Sequence, residues 1–274
     1  MSERDTYPPG VPCWVDIAQP DPDAAMRFYG ELFGWEYSDP DEIPGGGRYF
    51  AARLRGRDVA GISSLPGGGA GSRPVWKTYV LVDSADATTA RAKQAGGSAV
   101  AEPFDAPPGR IALLTDPEGA LFCIWEPKES AGAQLVNEPG AWSMSALNTR
   151  DPDGAKAFYG AVFGWETEAF DLGGAEISMW RLEGYVGGEP QQPVPRDVVA
   201  TMAPLGDEVP AEVPPNWSVD FWVDRVDPAV EAVGRLGGAV IAPPYDIPST
   251  ELRQAVVADP HGAAFSITEV TAKR

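Results

Sequence analysis

The feature that most constrains the fold is a segment that occurs twice. Residues 21–35 read DPDAAMRFYGELFGW, and residues 151–165 read DPDGAKAFYGAVFGW, 130 positions later. In each copy the Asp can cap the start of a helix, the Pro suits the first helical position, and the second Gly can end the helix in a left-handed conformation. Each copy therefore predicts an amphipathic helix followed by a strand, and the repeat predicts two similar domains.

Length and charge limit the classes of protein. With 274 residues, the chain can form two domains of about 130 residues each. Its net charge of −19 argues against a nucleic-acid partner, because such partners require basic patches. The chain shows no signal-peptide pattern and no apolar run of ~18 residues, and two cysteines are too few for a disulfide scaffold. We therefore expect a cytoplasmic protein with no nucleic-acid or membrane partner.

Periodicity and turn residues predict the order β-α-β-β-β twice in each half. We expect a disordered lead at residues 1–10, a first domain at 11–127, a linker at 128–140 and a second domain at 141–270. The offset between matching motifs grows from 130 to 141 positions along the second half, which indicates an insertion between Trp180 and Pro215, rich in Pro, Gly and acidic residues. We interpret the insertion as a surface loop, with a lid as the alternative.

Three motifs carry a resemblance to a known family. FYGELFGW, DPEGALFCIWEP and DPHGAAFSITEV occur in an order that resembles the vicinal oxygen chelate superfamily, which includes glyoxalase I, bleomycin-resistance proteins and extradiol dioxygenases. The chain is most similar to two-domain actinobacterial proteins that are often labelled hydroxylase or glyoxalase-like antigen, some of whose relatives are auxiliary proteins of aromatic polyketide antibiotic pathways. The resemblance implies an α+β fold of four βαβββ units, whose mixed sheets form two cups that hold a small ligand.

Metal-dependent members of that superfamily place His or Glu on the first strand of each unit and Glu on the last strand. The matching positions carry neither residue type in this chain; in the first half they are Trp14 (or Cys13), Lys77 (or Trp76) and Cys123, and in the second half Met144, Ser218 (or Trp217) and Ser266. The single histidine, His261, lies in a predicted surface turn. We therefore predict no metal and no cofactor.

Strand alternation predicts which side chains face each cup. In the first half these are Trp14, Asp16, Lys77, Tyr79, Leu81, Leu121, Cys123 and Trp125. In the second half they are Met144, Ala146, Ser218, Asp220, Trp222, Ala264, Ser266 and Thr268. The aromatic set of the first half suits a flat, partly apolar ligand, and it favours one site there. The alternative is that these aromatics fill the barrel as core.

Cys123 is interpreted as a small buried hydrophobe, because no histidine is near enough in the sequence pattern to activate a thiolate. Asp16 and Asp220 remain as candidate general bases inside the cups.

Three functions follow. The first is metal-independent binding of a hydrophobic, aromatic, polyketide-like small molecule, as in the bleomycin-resistance branch. The second is a metal-free tailoring enzyme, such as an isomerase, cyclase or hydroxylase-type protein, with Asp16 or Asp220 as base. The third and least favoured is a glyoxalase I-like lyase. Fusion of two domains predicts a monomer with an internal pseudo-dimer, and a homodimer is the alternative.

Overall fold

The computed structural model describes residues 3–43, 46–65, 73–107, 109–128, 132–171, 176–187, 195–207 and 209–271. Within these ranges the secondary structure forms four successive units in the predicted βαβββ order, and the first unit has one additional two-residue strand, β3. The first unit comprises β1 (Pro12–Gln19), α1 (Pro22–Phe33), β2 (Glu36–Tyr37), β3 (Asp41–Glu42), β4 (Arg48–Leu54) and β5 (Arg57–Ser64). The second comprises β6 (Trp76–Leu81), α2 (Ala85–Gln94), β7 (Ser98–Ala106), β8 (Gly109–Thr115) and β9 (Leu121–Pro127).

The second half repeats this order. The third unit comprises β10 (Trp142–Thr149), α3 (Pro152–Phe163), β11 (Trp165–Asp171), β12 (Glu176–Leu182) and β13 (Val198–Pro204). The fourth comprises β14 (Asn216–Trp222), α4 (Val226–Arg235), β15 (Ala239–Ile247), β16 (Leu252–Ala258) and β17 (Ala264–Val270). No helix in the described ranges combines the length and apolar character needed to cross a bilayer.

The described strands form two mixed sheets of matching order. The first runs β2-β4-β5-β1-β6-β9-β8-β7, with β3 on β4, and the second runs β11-β12-β13-β10-β14-β17-β16-β15. In each sheet the first strands of the two units, β1 with β6 and β10 with β14, pair antiparallel at the centre. The fold is therefore α+β, with two cup-like sheets, each built from two units.

The repeated helices form as the sequence predicts. The Asp21 and Asp151 carboxylates accept hydrogen bonds from the backbone N–H groups three residues on, at 2.9 and 3.0 Å. Gly34 and Gly164 end the helices in the left-handed conformation. In α1 the buried face includes Ala25, Phe28, Tyr29 and Phe33, which follow helical spacing.

That buried face contacts both sheets, which places the core between them. The Phe33 ring lies 5.0 Å from Phe221 of β14 and 6.0 Å from Phe265 of β17, measured between ring centroids. In the same way three rings of α3 contact Phe122 of β9, at 5.6 to 6.0 Å between ring centroids. The helix-bearing faces of the two sheets therefore oppose each other, and the two cup faces lie on opposite sides of this shared core.

The tyrosine of each repeated helix is hydrogen-bonded to the turn aspartate of the other half. Tyr29 Oη donates to Asp259 Oδ2 at 3.0 Å and accepts from Trp76 Nε1 at 3.2 Å. The mirror set joins Tyr159 Oη to Asp116 Oδ2 at 3.1 Å and to Trp217 Nε1 at 2.8 Å. Trp76 and Trp217 therefore face the shared core and not the cups.

The tryptophan that follows each repeated helix also reaches the other half. Trp35 Nε1 donates to Gly140 O, and Trp165 Nε1 donates to Gly10 O, both at 2.7 Å. Gly10 and Gly140 directly precede the first strand region of their halves and have φ of 84° and 85°. The two bonds hold the chain where each half begins.

Replacing Gly140 by Ala should destabilise the protein more than replacing Gly34. Both have positive φ, but a Cβ on Gly140 would lie 2.8 Å from Phe33 O, whereas one on Gly34 would meet nothing within 4 Å. Gly34→Ala should therefore cost about 1 kcal/mol for the backbone alone. Gly140→Ala should add about 1–2 kcal/mol of strain. Urea denaturation of both variants measures the difference, and equal losses would contradict it.

The structure corrects the expected disordered lead. Tyr7 is buried and its hydroxyl donates to Ala133 O at 2.7 Å, while Glu3 forms a bridge with Leu135. The prediction is wrong for residues 3–10, because a single buried aromatic gives no periodic signal. Residues 1–2, and residues 129–131 of the predicted linker, lie outside the described ranges. The described part of that linker is bonded to both halves, since Ala133 N–H donates to Cys13 O at 2.7 Å and Gly140 N–H donates to Trp222 O at 2.8 Å.

The insertion expected between Trp180 and Pro215 does not replace a strand of the unit. Trp180 is fully buried in β12, and β13 follows within this region as a strand parallel to β10. The sequence of β13, VVATMAP, shows no clean alternation, because several successive residues are buried. The additional residues lie between β12 and β13, where residues 188–194 are outside the described ranges.

Candidate functional site

A buried ion pair occupies the first cup. Asp16 of β1 lies directly opposite Lys77 of β6, and Lys77 Nζ is 2.9 Å from Asp16 Oδ1. Tyr79 Oη donates to Asp16 Oδ2 at 2.9 Å. Burial acts to lower the pKa of the Lys77 ammonium, but the charge of Asp16 and its hydrogen bond to the ammonium oppose this effect, and the pKa is raised. Burial and then Asp16 hold the pKa of Tyr79 well above its ordinary value. Both oxygens of Asp16 are thereby engaged.

The aromatic residues of the first cup pack on one another. Trp14 Nε1 donates to Tyr49 Oη at 2.9 Å, and the Trp125 ring lies 6.3 Å from Trp14 and 6.4 Å from Tyr79. Trp14, Tyr79 and Trp125 are only 5 to 7% exposed. The predicted residues are thus brought together, but their rings fill the cup.

The remaining predicted residues of the first cup are apolar in character. Leu81 is buried, Leu121 is half-buried at the start of β9, and Cys123 is fully buried. Burial raises the pKa of the Cys123 thiol to about 12, with the Lys77 charge opposing the shift. At neutral pH Cys123 is therefore a thiol, which agrees with its interpretation as a small buried hydrophobe.

The second cup has a different centre. Asp220 of β14 is half-buried, and its carboxylate accepts from Ser143 Oγ at 2.6 Å, from Thr268 Oγ1 at 2.6 Å and from Gln254 Nε2 at 3.3 Å. All three donors are neutral. Tyr245, which is 41% exposed, donates its hydroxyl to Gln254 Oε1 and so extends the network to the rim.

The surroundings of Asp220 are open. Met144 lies opposite it on β10 and Ser266 lies beside it on β17, and both are half-exposed, as is Ser218 two residues earlier on β14. Trp222, two residues later on the same strand, is 8% exposed. The aromatic lining of the first cup is thus replaced in the second by shorter, mostly polar side chains.

The pKa of Asp220 gives a pH prediction. Burial raises it from 3.8 to about 6, while the hydrogen bonds from Ser143, Thr268 and Gln254 lower it. Between pH 4 and 6 the folded chain therefore retains a proton that the unfolded chain has released, so this group's contribution to stability falls as pH rises. Asp220→Asn should remove that fall.

Urea denaturation at several pH values from 4 to 7.5 checks this. The free-energy difference between wild type and Asp220→Asn should change across the window and level off above pH 6. Asp227→Asn is the control, because Arg253 lowers the pKa of that exposed carboxylate. A difference for Asp220→Asn that is independent of pH would contradict the prediction.

The residues at the superfamily's metal positions do not fit a divalent site. Trp14, Lys77 and Cys123 face the first cup, where the Lys77 ammonium already pairs with the one carboxylate and would repel a dication. Met144, Ser218 and Ser266 occupy the second cup. Within the described ranges no three His, Cys, Asp or Glu residues come together as a metal site. The donor chemistry that such a site requires is therefore missing from both cups.

A separate cavity of about 40 Å³ lies at one end of the second cup, lined by Ser143, Met144, Val199, Tyr185 and N-terminal residues that include Arg4 and Tyr7. This volume holds one or two water molecules and no aromatic ring. A larger ligand would lie on the open face near Asp220.

Some residues of the second cup were not predicted from the sequence. Thr268 was expected at the cup, but Ser143, Gln254 and Tyr245 were not. Ser143 lies next to a register shift in β10, and Gln254 and Tyr245 lie on strands of the edge hairpin. Alternation from the first strand could have identified none of them, although the pairing of Gln254 with Thr268 would have identified one. His261 is half-buried, and its neighbour Asp259 is buried at the junction of the halves, so the predicted surface turn is partly interior.

Known proteins are similar to this chain in sequence. A family model described as a glyoxalase-like domain matches residues 14–125 and 144–268. "Putative glyoxylase CFP32" of Mycobacterium tuberculosis is 38% identical over 271 residues, which cover 97% of each chain. The anthracycline biosynthesis protein DnrV of Streptomyces peucetius is 33% identical over 277 residues, covering 96% of this chain and 94% of that one.

Solved structures agree on the fold. The Mn(II)-bound glyoxalase of Novosphingobium aromaticivorans is 18% identical, with a TM-score of 0.62 over 96% of this chain and 82% of that one. The 2,3-dioxygenase LapB of Pseudomonas sp. KL28 is 13% identical, with a TM-score of 0.63 over 95% and 93%. With two matched domains covering most of its length, the chain belongs to the glyoxalase-like domain family.

Proposed function

We propose that this protein binds a small, polycyclic aromatic molecule in its second cup without using a metal ion. The observation that carries the proposal is the contrast between the cups. The first cup is filled by its own rings and its ion pair, whereas the second presents a half-exposed polar floor around Asp220, bordered by Met144 and Trp222. A few convergent polar groups beside apolar surface are typical of small-molecule sites.

The relatives support the class of ligand. DnrV and DauV of Streptomyces are named anthracycline biosynthesis proteins and are 33% and 32% identical to this chain over nearly its whole length. Anthracycline precursors are flat polyketides with hydroxyl and carbonyl oxygens. Hydroxyl groups of such molecules can donate to the Asp220 carboxylate, which offers about four acceptor sites and receives three hydrogen bonds from the chain. The flat rings match Trp222 and Met144.

Calorimetry with a hydroxylated anthraquinone as probe tests the proposal. Wild type should bind it, and Ser266→Phe, which places a ring on the open floor, should weaken binding by about 10-fold or more. Leu121→Phe is the matched control on the equivalent strand of the first cup and should change binding by less than about two-fold. Equal losses in both variants, or none in either, would overturn the placement in the second cup.

Metal independence is tested on the same protein. Elemental analysis after incubation with Mn²⁺, Ni²⁺, Zn²⁺ or Fe²⁺ and desalting should give far less than one ion per chain, and chelator treatment should leave probe binding unchanged. A stoichiometric ion that is lost together with probe binding would replace this proposal with a metal-dependent one.

A second candidate function is a metal-free tailoring enzyme in which Asp220 is the general base. The pKa of about 6 favours it, because a base is most effective when its pKa is near the working pH. Asp16 is less suited, since Lys77 and Tyr79 engage both of its oxygens. Turnover that is lost in Asp220→Asn while probe binding remains would favour the enzyme. Binding without turnover would favour the binding protein proposed first.

A further inference from the structure

The two cups differ in how they compensate a buried carboxylate. In the first, Asp16 has Lys77 Nζ at 2.9 Å. Lys77 lies opposite Asp16 on the paired central strands, and the corresponding pair in the second cup is Ala146 with Ser218. The second cup therefore places its acid on the other central strand, at Asp220, and provides no lysine.

Within the described ranges Asp220 forms no ion pair. Its charge is held by the hydroxyls of Ser143 and Thr268 and by the amide of Gln254. A carboxylate offers about four acceptor sites, so three donors leave about one unused. A charge that is partly removed from water is costly without an opposite charge, and this carboxylate is half-buried.

The groups around the carboxylate suit a cation with an apolar body. Met144 lies opposite Asp220 and provides a thioether, while Trp222 and Tyr245 provide aromatic surface on the same strand and at the rim. Aromatic faces attract ammonium groups, and a carboxylate pairs with them through charge-assisted hydrogen bonds. The net charge of −19 would further attract a cation and repel an anion.

We propose that the ligand of the second cup carries a protonated amino group on an aromatic body, and that this group pairs with Asp220 as Lys77 pairs with Asp16 in the first cup. This inference rests on the small-molecule site proposed above. It adds a specificity determinant, the charge of the ligand, which the filled first cup cannot provide.

Two probes of the same shape test the inference. 1-Naphthylmethylamine is a cation at pH 7.5, and 1-naphthalenemethanol is neutral. Calorimetry should show that wild type binds the amine about 10-fold or more tightly than the alcohol. Asp220→Asn keeps the size of the side chain and should abolish this preference, so that the ratio of the two dissociation constants falls to about one.

Asp227→Asn is the matched control, because it removes the same charge from an exposed carboxylate that pairs with Arg253. It should retain the preference for the amine. Equal binding of the two probes to wild type would overturn the amino-group inference and leave the small-molecule site standing. Binding of neither probe to wild type at millimolar concentration would overturn both. The wild-type comparison requires no variant, so a failure of Asp220→Asn to fold leaves the test decisive.

Discussion

Asp16→Asn should destabilise this protein by about 3–5 kcal/mol, the loss expected when one partner of a buried ion pair is removed. The Lys77 ammonium, whose side chain is only 15% exposed, would lose the carboxylate 2.9 Å away, and Tyr79 would lose a charged acceptor. Equilibrium urea denaturation measures the change.

The double variant Asp16→Asn/Lys77→Met measures how much of this loss comes from leaving the Lys77 charge without its partner. Once both charges are gone, no uncompensated ion remains, so the double variant should be more stable than Asp16→Asn alone. The exposed pair Arg253–Asp227 is the control, and Asp227→Asn should cost far less than Asp16→Asn, because water screens exposed ion pairs. Additive losses from the two first-cup substitutions would show that Asp16 and Lys77 do not stabilise each other.

Asp259→Ala should be similarly damaging, with a loss of about 2–5 kcal/mol, because it leaves several buried donors without an acceptor. The Asp259 carboxylate accepts from Gln19 Nε2 at 2.5 Å, from Tyr29 Oη at 3.0 Å, and from the backbone N–H groups of His261 and Ala263 at 2.9 Å. The substitution therefore disrupts both the turn and the joint between the halves.

The repeat provides an internal comparison. Asp116 holds the equivalent turn, accepting from the backbone N–H groups of Glu118 and Ala120 and from Tyr159 Oη. Asp116→Ala should lose a comparable free energy of unfolding. Asp86→Ala, at an exposed carboxylate bonded to Arg110, should change the free energy of unfolding far less than either substitution. A loss at Asp259 no larger than at Asp86 would refute a stabilising role for the joint.

The fold could be predicted because its determinants are local. Asp21, Gly34 and the apolar spacing between them specify a helix and its ends, and the repeat supplies the second copy. The ends of β13 and the position of the insertion before it could not be predicted, because a strand with successive buried residues carries no alternating pattern. Tyr7 was missed because its burial depends on Ala133, which is 126 residues away in the chain.

The candidate site was predicted less completely, for a different reason. Alternation placed Asp16, Lys77 and Tyr79 on one face, and the structure brings them together. It could not show that Trp14, Tyr49 and Trp125 would pack against each other and fill the first cup, which depends on the curvature of the sheet and on ring orientation. Nor could it show that Gln254 reaches Asp220 from an edge strand. The favoured position of the site therefore moved from the first half to the second.

The shared core has an evolutionary consequence. Residues at the junction of the halves must pack against both of them. At these positions the two copies have the same amino acid, as in Tyr29 and Tyr159 or Asp116 and Asp259. Residues on the two cup faces contact one half only. At these positions the two copies differ, as in Trp14 and Met144 or Cys123 and Ser266. In a protein with two similar halves, one cup is enough to bind a ligand. The other cup can therefore be filled by its own side chains and support the fold, while substitutions in the binding cup change which ligand it binds.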